Sequence, residues 1–160
     1  MPPSPCLIGL WQLNSHSAQD QYIALINASE PVKPAVLNSI FDKLPPIKPS
    51  QLIGEWNGGL FDTGHQVAST LKEIRWVGKS FKSTDDVDPV IIEKNGERTS
   101  WGKWGFASLK EMVYRGVVST TMIYDEWPVF DHFRYVNDKL IAGIMEGKTL
   151  GEDFFFYLKR

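Results

Sequence analysis

Several kinds of chemistry are missing from this chain. A single cysteine, Cys6, stands among 160 residues. No internal disulfide can form, and the usage fits a reducing compartment. No apolar run approaches the roughly eighteen residues that a membrane-spanning helix needs. The start, Met1-Pro2-Pro3-Ser4-Pro5, has neither a basic segment nor a long apolar stretch, so it does not look like a secretory signal, and the cytoplasm is the expected location. Lys and Arg number 17 against 19 Asp and Glu, a net charge of −2, which argues against nucleic acid as a partner. There is no glycine-rich phosphate loop, Cys-x-x-Cys, His-x-x-x-His or Gly-x-Ser-x-Gly elbow. The three histidines are far apart, which suits no structural zinc site. No metal and no cofactor is therefore expected, and Cys6 is a poor nucleophile candidate.

What is present is unevenly distributed. Eight of the ten prolines precede residue 50, whereas twelve of the thirteen glycines and five of the six tryptophans follow it. The expected organisation is one domain over 1–160, with a helical preface at 1–48 and strands with tight turns from 49 onward. The most informative stretch is Gly54-Glu55-Trp56-Asn57-Gly58. Glycine lets another element approach closely, and tryptophan brings a large apolar surface with one N–H that wants a partner.

Helical spacing of Val36, Leu37, Ile40, Phe41 and Leu44 predicts a helix over Pro34–Leu44, after a weaker one at Ala18–Ile26. Thr63-Gly64-His65-Gln66 reads as a capping box opening a helix to about Arg75, with His65 in its first turn and held neutral by the helix dipole. Strands are expected at Trp76–Phe81 and Pro89–Lys94, the latter closed by an Asn95-Gly96 hairpin turn. Further strands are expected at Thr99–Ala107, Met112–Asp125, Val129–Val136, Leu140–Glu146 and Phe154–Leu158. Consecutive strands with short turns favour an antiparallel meander that curls into a small barrel.

At this point the residues resemble a known family. Gly54-Glu55-Trp56-Asn57-Gly58, Thr63-Gly64-His65 and Trp76-Val77-Gly78-Lys79 come in order. Tyr114-Arg115-Gly116-Val117-Val118, Tyr124-Asp125, Asp131-His132-Phe133-Arg134, Gly143-Ile144-Met145 and Phe156-Tyr157-Leu158-Lys159-Arg160 follow. Over about 35–160 the chain is similar to the GXWXG-motif family with its companion C-terminal domain of unknown function. Glu146 departs from it, since aspartate is commoner there. The resemblance implies a lipocalin-like (calycin-type) barrel and a pocket for an apolar small molecule, and it implies no reaction. The fold class expected is α+β: a small antiparallel lipocalin-like barrel with N-terminal helices and one helix packed at a barrel end.

Two constellations could carry chemistry. His65 with Trp56 and Lys79 either places an imidazole at a pocket rim or ties the Gly-Trp-Gly segment to the helix start. In the second, His132 and Arg134 share one face of a strand with Phe130, while Asp131, Phe133 and Tyr135 share the other. Arg134 would anchor a substrate carbonyl or carboxylate, and Asp125 or Asp131 would supply ion pairing. Arg115 either clamps an anionic group or faces solvent. Trp101 and Trp104 fall on opposite faces if extended, so one at most lines a cavity. The candidate catalytic residues are His65, Tyr124, His132 and Arg134. The candidate substrate contacts are Trp56, Trp76, Lys79, Trp101, Arg115, Met122, Phe130, Met145 and Phe156.

The function expected is that of a cofactor-independent enzyme. It would hold an apolar, terpenoid- or polyketide-like molecule and promote isomerisation or a Diels–Alder-type cyclisation in natural-product biosynthesis. Confinement supplies ~7–11 kcal/mol in well-oriented cases. The alternatives are a carrier of a hydrophobic ligand or lipid, a haem protein ligated through His132 or His65, and an interaction module whose barrel is filled by its own side chains. The partner expected is a hydrophobic small molecule. A homodimer is compatible with the chain; nucleic acid and a membrane span are not expected.

Overall fold

The computed structural model describes residues 16–160; Cys6 and the proline-rich start lie outside the described residues. The chain begins with α1 (Ala18–Ile26), whose first turn is capped by the Ser17 hydroxyl accepting from the Asp20 N–H. Next is α2 (Pro34–Phe41), which opens on a proline whose missing N–H is no loss in a first turn. A 3₁₀ turn (Pro49–Gln51) then leads to β1 (Gly54–Leu60), followed by α3 (Gln66–Glu73). The remainder is β2 (Trp76–Ser83), β3 (Asp86–Lys94), β4 (Glu97–Ser100), β5 (Ala107–Tyr114), β6 (Val117–Tyr124), β7 (Phe130–Asn137), β8 (Leu140–Glu146) and β9 (Phe154–Lys159). No described helix is long and apolar enough to cross a membrane.

The strands run β2-β1-β9-β8-β7-β6-β5-β3, and β3 pairs back onto β2, so eight antiparallel strands close a barrel that β4 extends along β3. One seam is thin. β3 meets β5 through the single register pair Val87–Ala107, while the same strand binds β4 from Ile91 to Lys94. Loop 101–106 spans the interval.

The sequence expectation differs from the structure in two strands. Met112–Asp125 is not one strand: it is split into β5 and β6 by a turn at Arg115 and Gly116, with φ of 51° and 77°. The Asn95-Gly96 turn has nearly the same angles, 54° and 79°. Asn announces such a turn and Arg does not. The expected Thr99–Ala107 strand stops at Ser100, and its two tryptophans lie in the seam loop.

Side-chain alternation sorts the molecule into two cores. Inside the barrel are Trp56, Phe81, Leu109, Met122, Phe133, Ile141, Phe154, Phe156 and Leu158. Leu52 and Ile47 close the end where β1 begins, and Val67, Ala68 and Leu71 of α3 close the end where it finishes. Outside, α1 and α2 lay Tyr22, Leu37, Phe41 and Leu44 over Val136, Ala142, Ile144 and Phe155. The Tyr22 hydroxyl donates to the Phe156 carbonyl at 3.1 Å.

The interior is not the open cup that a lipocalin-like barrel suggests. Aromatic rings fill it, and the free space beside Lys79 is about 10 Å³, at the lower limit of what one water needs. The glycines of the motifs explain part of this tight fit. A Cβ at Gly58 would overlap the Trp76 indole, so that ring lies flat where a side chain would otherwise stand. Gly78 has φ of 155°, and a Cβ there would overlap the Trp56 carbonyl oxygen.

Gly78→Ala is expected to destabilise the protein by at least about 2–3 kcal/mol, because backbone cannot move aside as a side chain can. Gly64→Asn, at an open αL position, is expected to change stability by less than about 1 kcal/mol. Denaturant unfolding of the two variants checks both values.

Candidate functional site

One strand, β7, supplies both faces of the molecule. Asp131, Phe133 and Tyr135 point into the barrel, whereas Phe130, His132, Arg134 and Val136 point out, toward α1, α2 and the β8–β9 loop. The inward orientation expected of His132 and Arg134 is thus corrected: the opposite face of the same strand lines the interior.

Among the described residues, the interior holds one ion pair. Lys79 Nζ stands 3.0 Å from Asp131 Oδ2, and the two side chains are 5% and 1% exposed. Nζ also donates to the Pro89 carbonyl at 3.0 Å, and lies 5.3 Å and 5.7 Å from the ring centres of Phe156 and Trp76. The pairing of Asp131 is incomplete. Oδ2 faces the ammonium at ion-pair distance without hydrogen-bond alignment, and Oδ1 has no partner at all. Burial holds the Asp131 carboxyl above its ordinary range, against the pull of Lys79. Burial, and secondarily the charge of Asp131, push the Tyr124 phenol well above its usual value, so it stays an O–H donor.

These groups meet at the small cavity, which is bounded by Leu71, Trp76, Val90, Trp104, Met145 and Phe156, together with Lys79, Asp131 and Tyr124. Trp104 comes from the seam loop and packs against Trp127, with ring centres 4.9 Å apart, and against Trp101 at 5.3 Å. Trp101 forms the outer part of this cluster. Met122, paired with Asp131 across the β6–β7 ladder, is fully buried core.

The remaining expected site residues serve the frame. His65 is the N-cap of α3 itself, not a first-turn residue: its Nδ1 accepts from the Val67 N–H. That fixes Nε2 as the donor to the Glu152 carbonyl at 2.7 Å, so its hydrogen bonds join loop to helix and none reaches Trp56 or Lys79. Trp56 plugs the far end, donating to the Leu52 carbonyl at 2.7 Å under the Arg160 guanidinium. Arg134 donates to the Leu44 carbonyl at 3.0 Å and the Phe41 carbonyl at 3.4 Å, capping α2 from below. Arg115, in the hairpin turn, pairs with Asp42 and Asp153 on the outer surface. Phe130 stacks beside His132 on the outer face. His132 has both nitrogens engaged, by Thr121 Oγ1 and Glu146 Oε1 at 2.9 Å each, and its ring lies 3.6 Å from Tyr114. Burial holds this imidazole below its ordinary pKa despite Glu146. With all four imidazole nitrogens of His65 and His132 occupied, axial ligation of haem would break existing bonds.

Sequence reasoning weighed Asp131 mainly as a structural ion pair and left Trp104 open. The signal for Asp131 was the alternation itself, once one of the two β7 faces is assigned to the interior.

Lys79→Met leaves a buried carboxylate without its cation and is expected to cost about 3–5 kcal/mol. The double variant K79M/D131L is expected to be far closer to wild type, or more stable. In K79M alone the raised Asp131 pKa favours the protonated folded state. Stability should be full below about pH 4, the ordinary carboxylate value, and should fall as pH rises through the raised one. Urea unfolding across pH measures both effects.

The chain matches the family described as "GXWXG protein" over residues 39–96 and the "Domain of unknown function (DUF4334)" over residues 105–160. Among curated proteins none matches. A solved structure described as "Crystal structure of protein from Thermomonospora curvata" is similar at 35% identity and a TM-score of 0.85, covering 89% of this chain and 97% of that one. The strand that carries Trp56 between its glycines and the barrel strands that follow it therefore place this chain in the GXWXG family, joined to a DUF4334 domain.

Proposed function

We propose that the protein is a cofactor-independent enzyme that takes a small apolar carbonyl compound, of terpenoid or polyketide type, into the barrel and moves a proton on it, giving isomerisation or cyclisation. The observation that carries this is the incomplete pairing of Asp131. A fold that needed only stability would fill this position with an apolar side chain, because a buried ion pair is often no better than one. Here a buried carboxylate whose oxygens have no hydrogen-bond partner borders a ring-lined space beside a lysine and a neutral tyrosine. Asp131, raised above its usual range, suits a general base, whose pKa works best near the operating pH. Lys79 and the Tyr124 hydroxyl suit stabilisation of the negative charge that develops on a substrate oxygen when the adjacent carbon loses its proton.

A space of about 10 Å³ holds no such substrate, so entry requires a ring to move. Leu71 of α3 and Trp104 are the bounding residues outside the strand ladder, and Trp104 belongs to the loop that spans the thin β3–β5 seam. A carrier would use the same rings, with Lys79 holding a ligand oxygen and no proton transferred.

The test uses β-ionone, an apolar terpenoid ketone, in D₂O. The expected result is protein-dependent exchange of deuterium next to the carbonyl, read by NMR, and lowered about 10²–10⁴-fold in Asp131→Asn. Quenching of tryptophan fluorescence without exchange would favour the carrier. Neither quenching nor exchange would overturn the proposal.

A further inference from the structure

Lys79 occupies irregular backbone. Gly78 pairs with Ile91 and Ser80 with Asp88, so on β3 two residues, Pro89 and Val90, face the single residue Lys79. This is a β-bulge on β3, an irregularity that recurs beside active sites. Pro89 has no N–H to give the ladder, and its carbonyl turns instead to Lys79 Nζ. Gly78, which no larger residue can replace without striking the Trp56 carbonyl, sets the bend from the other side. Lys79 faces inward through its pairing with Trp56, and the bulge brings the Pro89 carbonyl to its amine, which lies among Trp76, Phe156 and Asp131.

We infer that Lys79 is a covalent site, whose amine condenses with an apolar aldehyde or ketone held against Trp76, Trp104 and Phe156 to form an imine. This rests on the interior being the ligand site and goes beyond it by naming the bond formed and the carbonyl class. The ammonium, 3.0 Å from Asp131 Oδ2, first turns an N–H into line with that oxygen and passes it a proton. The freed lone pair attacks the carbonyl carbon, the C–N bond forms, and the carbonyl oxygen takes up the proton that nitrogen sheds. Asp131 then returns its proton to the resulting hydroxyl, which leaves as water while nitrogen closes the C=N double bond. The sum is R₂C=O plus Lys79–NH₃⁺ giving R₂C=NH⁺–Lys79 plus H₂O, with Asp131 returned to its carboxylate and no oxidant or reductant. Protonated, the imine draws electrons from the adjacent carbon, and the Asp131 carboxylate is positioned to take a proton there. Burial of Asp131 favours each step that leaves it protonated.

Trapping with trans-cinnamaldehyde and sodium cyanoborohydride tests this, read by intact mass and peptide mapping. The expected result is one reduced adduct per chain on Lys79, formed about tenfold or more faster than on the exposed Lys82 and Lys103, because the barrel would hold the aldehyde in place beside Nζ. Lys79→Arg keeps the cation and should abolish that adduct. Should the variant fail to fold, the wild-type map alone decides. Adducts confined to surface lysines, with tryptophan fluorescence still quenched by the aldehyde, would overturn the imine and leave the interior binding site standing. No adduct on Lys79 and no quenching would remove both.

Discussion

Taking an ammonium and a carboxylate out of water costs several kcal/mol for each ion even after relaxation. Lys79 and Asp131 have been taken out of water almost completely, with one backbone carbonyl and a set of rings as their surroundings. The rest of the barrel is arranged around keeping them there. Lys79 pairs with Trp56 across β1–β2 and shares its inward face, β7 presents Asp131 on its inner face, and α3, Leu52 and Trp56 close the ends. In that low-dielectric space the mutual attraction is strong, yet the second oxygen of Asp131 has nothing to accept from. Among the charged groups described, the remaining ion pairs lie at the surface or near it, where they contribute little.

The outer face of β7 shows the opposite logic. Arg134 is as buried as Asp131, but each of its hydrogen bonds ends on a backbone carbonyl, of Phe41, Leu44 and Tyr114, and its guanidinium lies over the Phe41 ring. It is consumed in fastening α2 to the barrel. His132 is likewise saturated by Thr121, Glu146 and the Tyr114 ring. A single strand therefore separates a satisfied structural face from an unsatisfied interior one. That contrast directs attention to Asp131 rather than to the arginine and histidine beside it.

Much of the architecture was legible in the chain. The period-2 pattern of Val129–Val136 and Leu140–Glu146, the Asn95-Gly96 turn and the proline-bounded α2 all lie close to where local chemistry puts them. The eight-stranded closure also agrees with the family resemblance. Less was legible where backbone angles are unusual for the residue type. Arg115 in the left-handed region hid the β5–β6 hairpin, and the β3 bulge has no sequence signature beyond Pro89. The site was half visible. Lys79 and Tyr124 are among the candidates that the sequence names, but alternation alone states that Asp131 and Arg134 are on opposite faces without saying which face is inside. That choice was fixed by α1 and α2, which needed an apolar outer surface at Val136, Ile144 and Phe155 and carried Arg134 with it.

A crystal structure of the protein soaked with β-ionone addresses the central claim most directly. The expected density places the ketone inside the barrel, its oxygen facing Lys79 or Tyr124 and its adjacent carbon facing Asp131, with the Trp104 ring displaced from the β3–β5 seam. An interior unchanged from the ligand-free protein, with Trp104 in place and the ketone absent or held only on the outer surface, would contradict it.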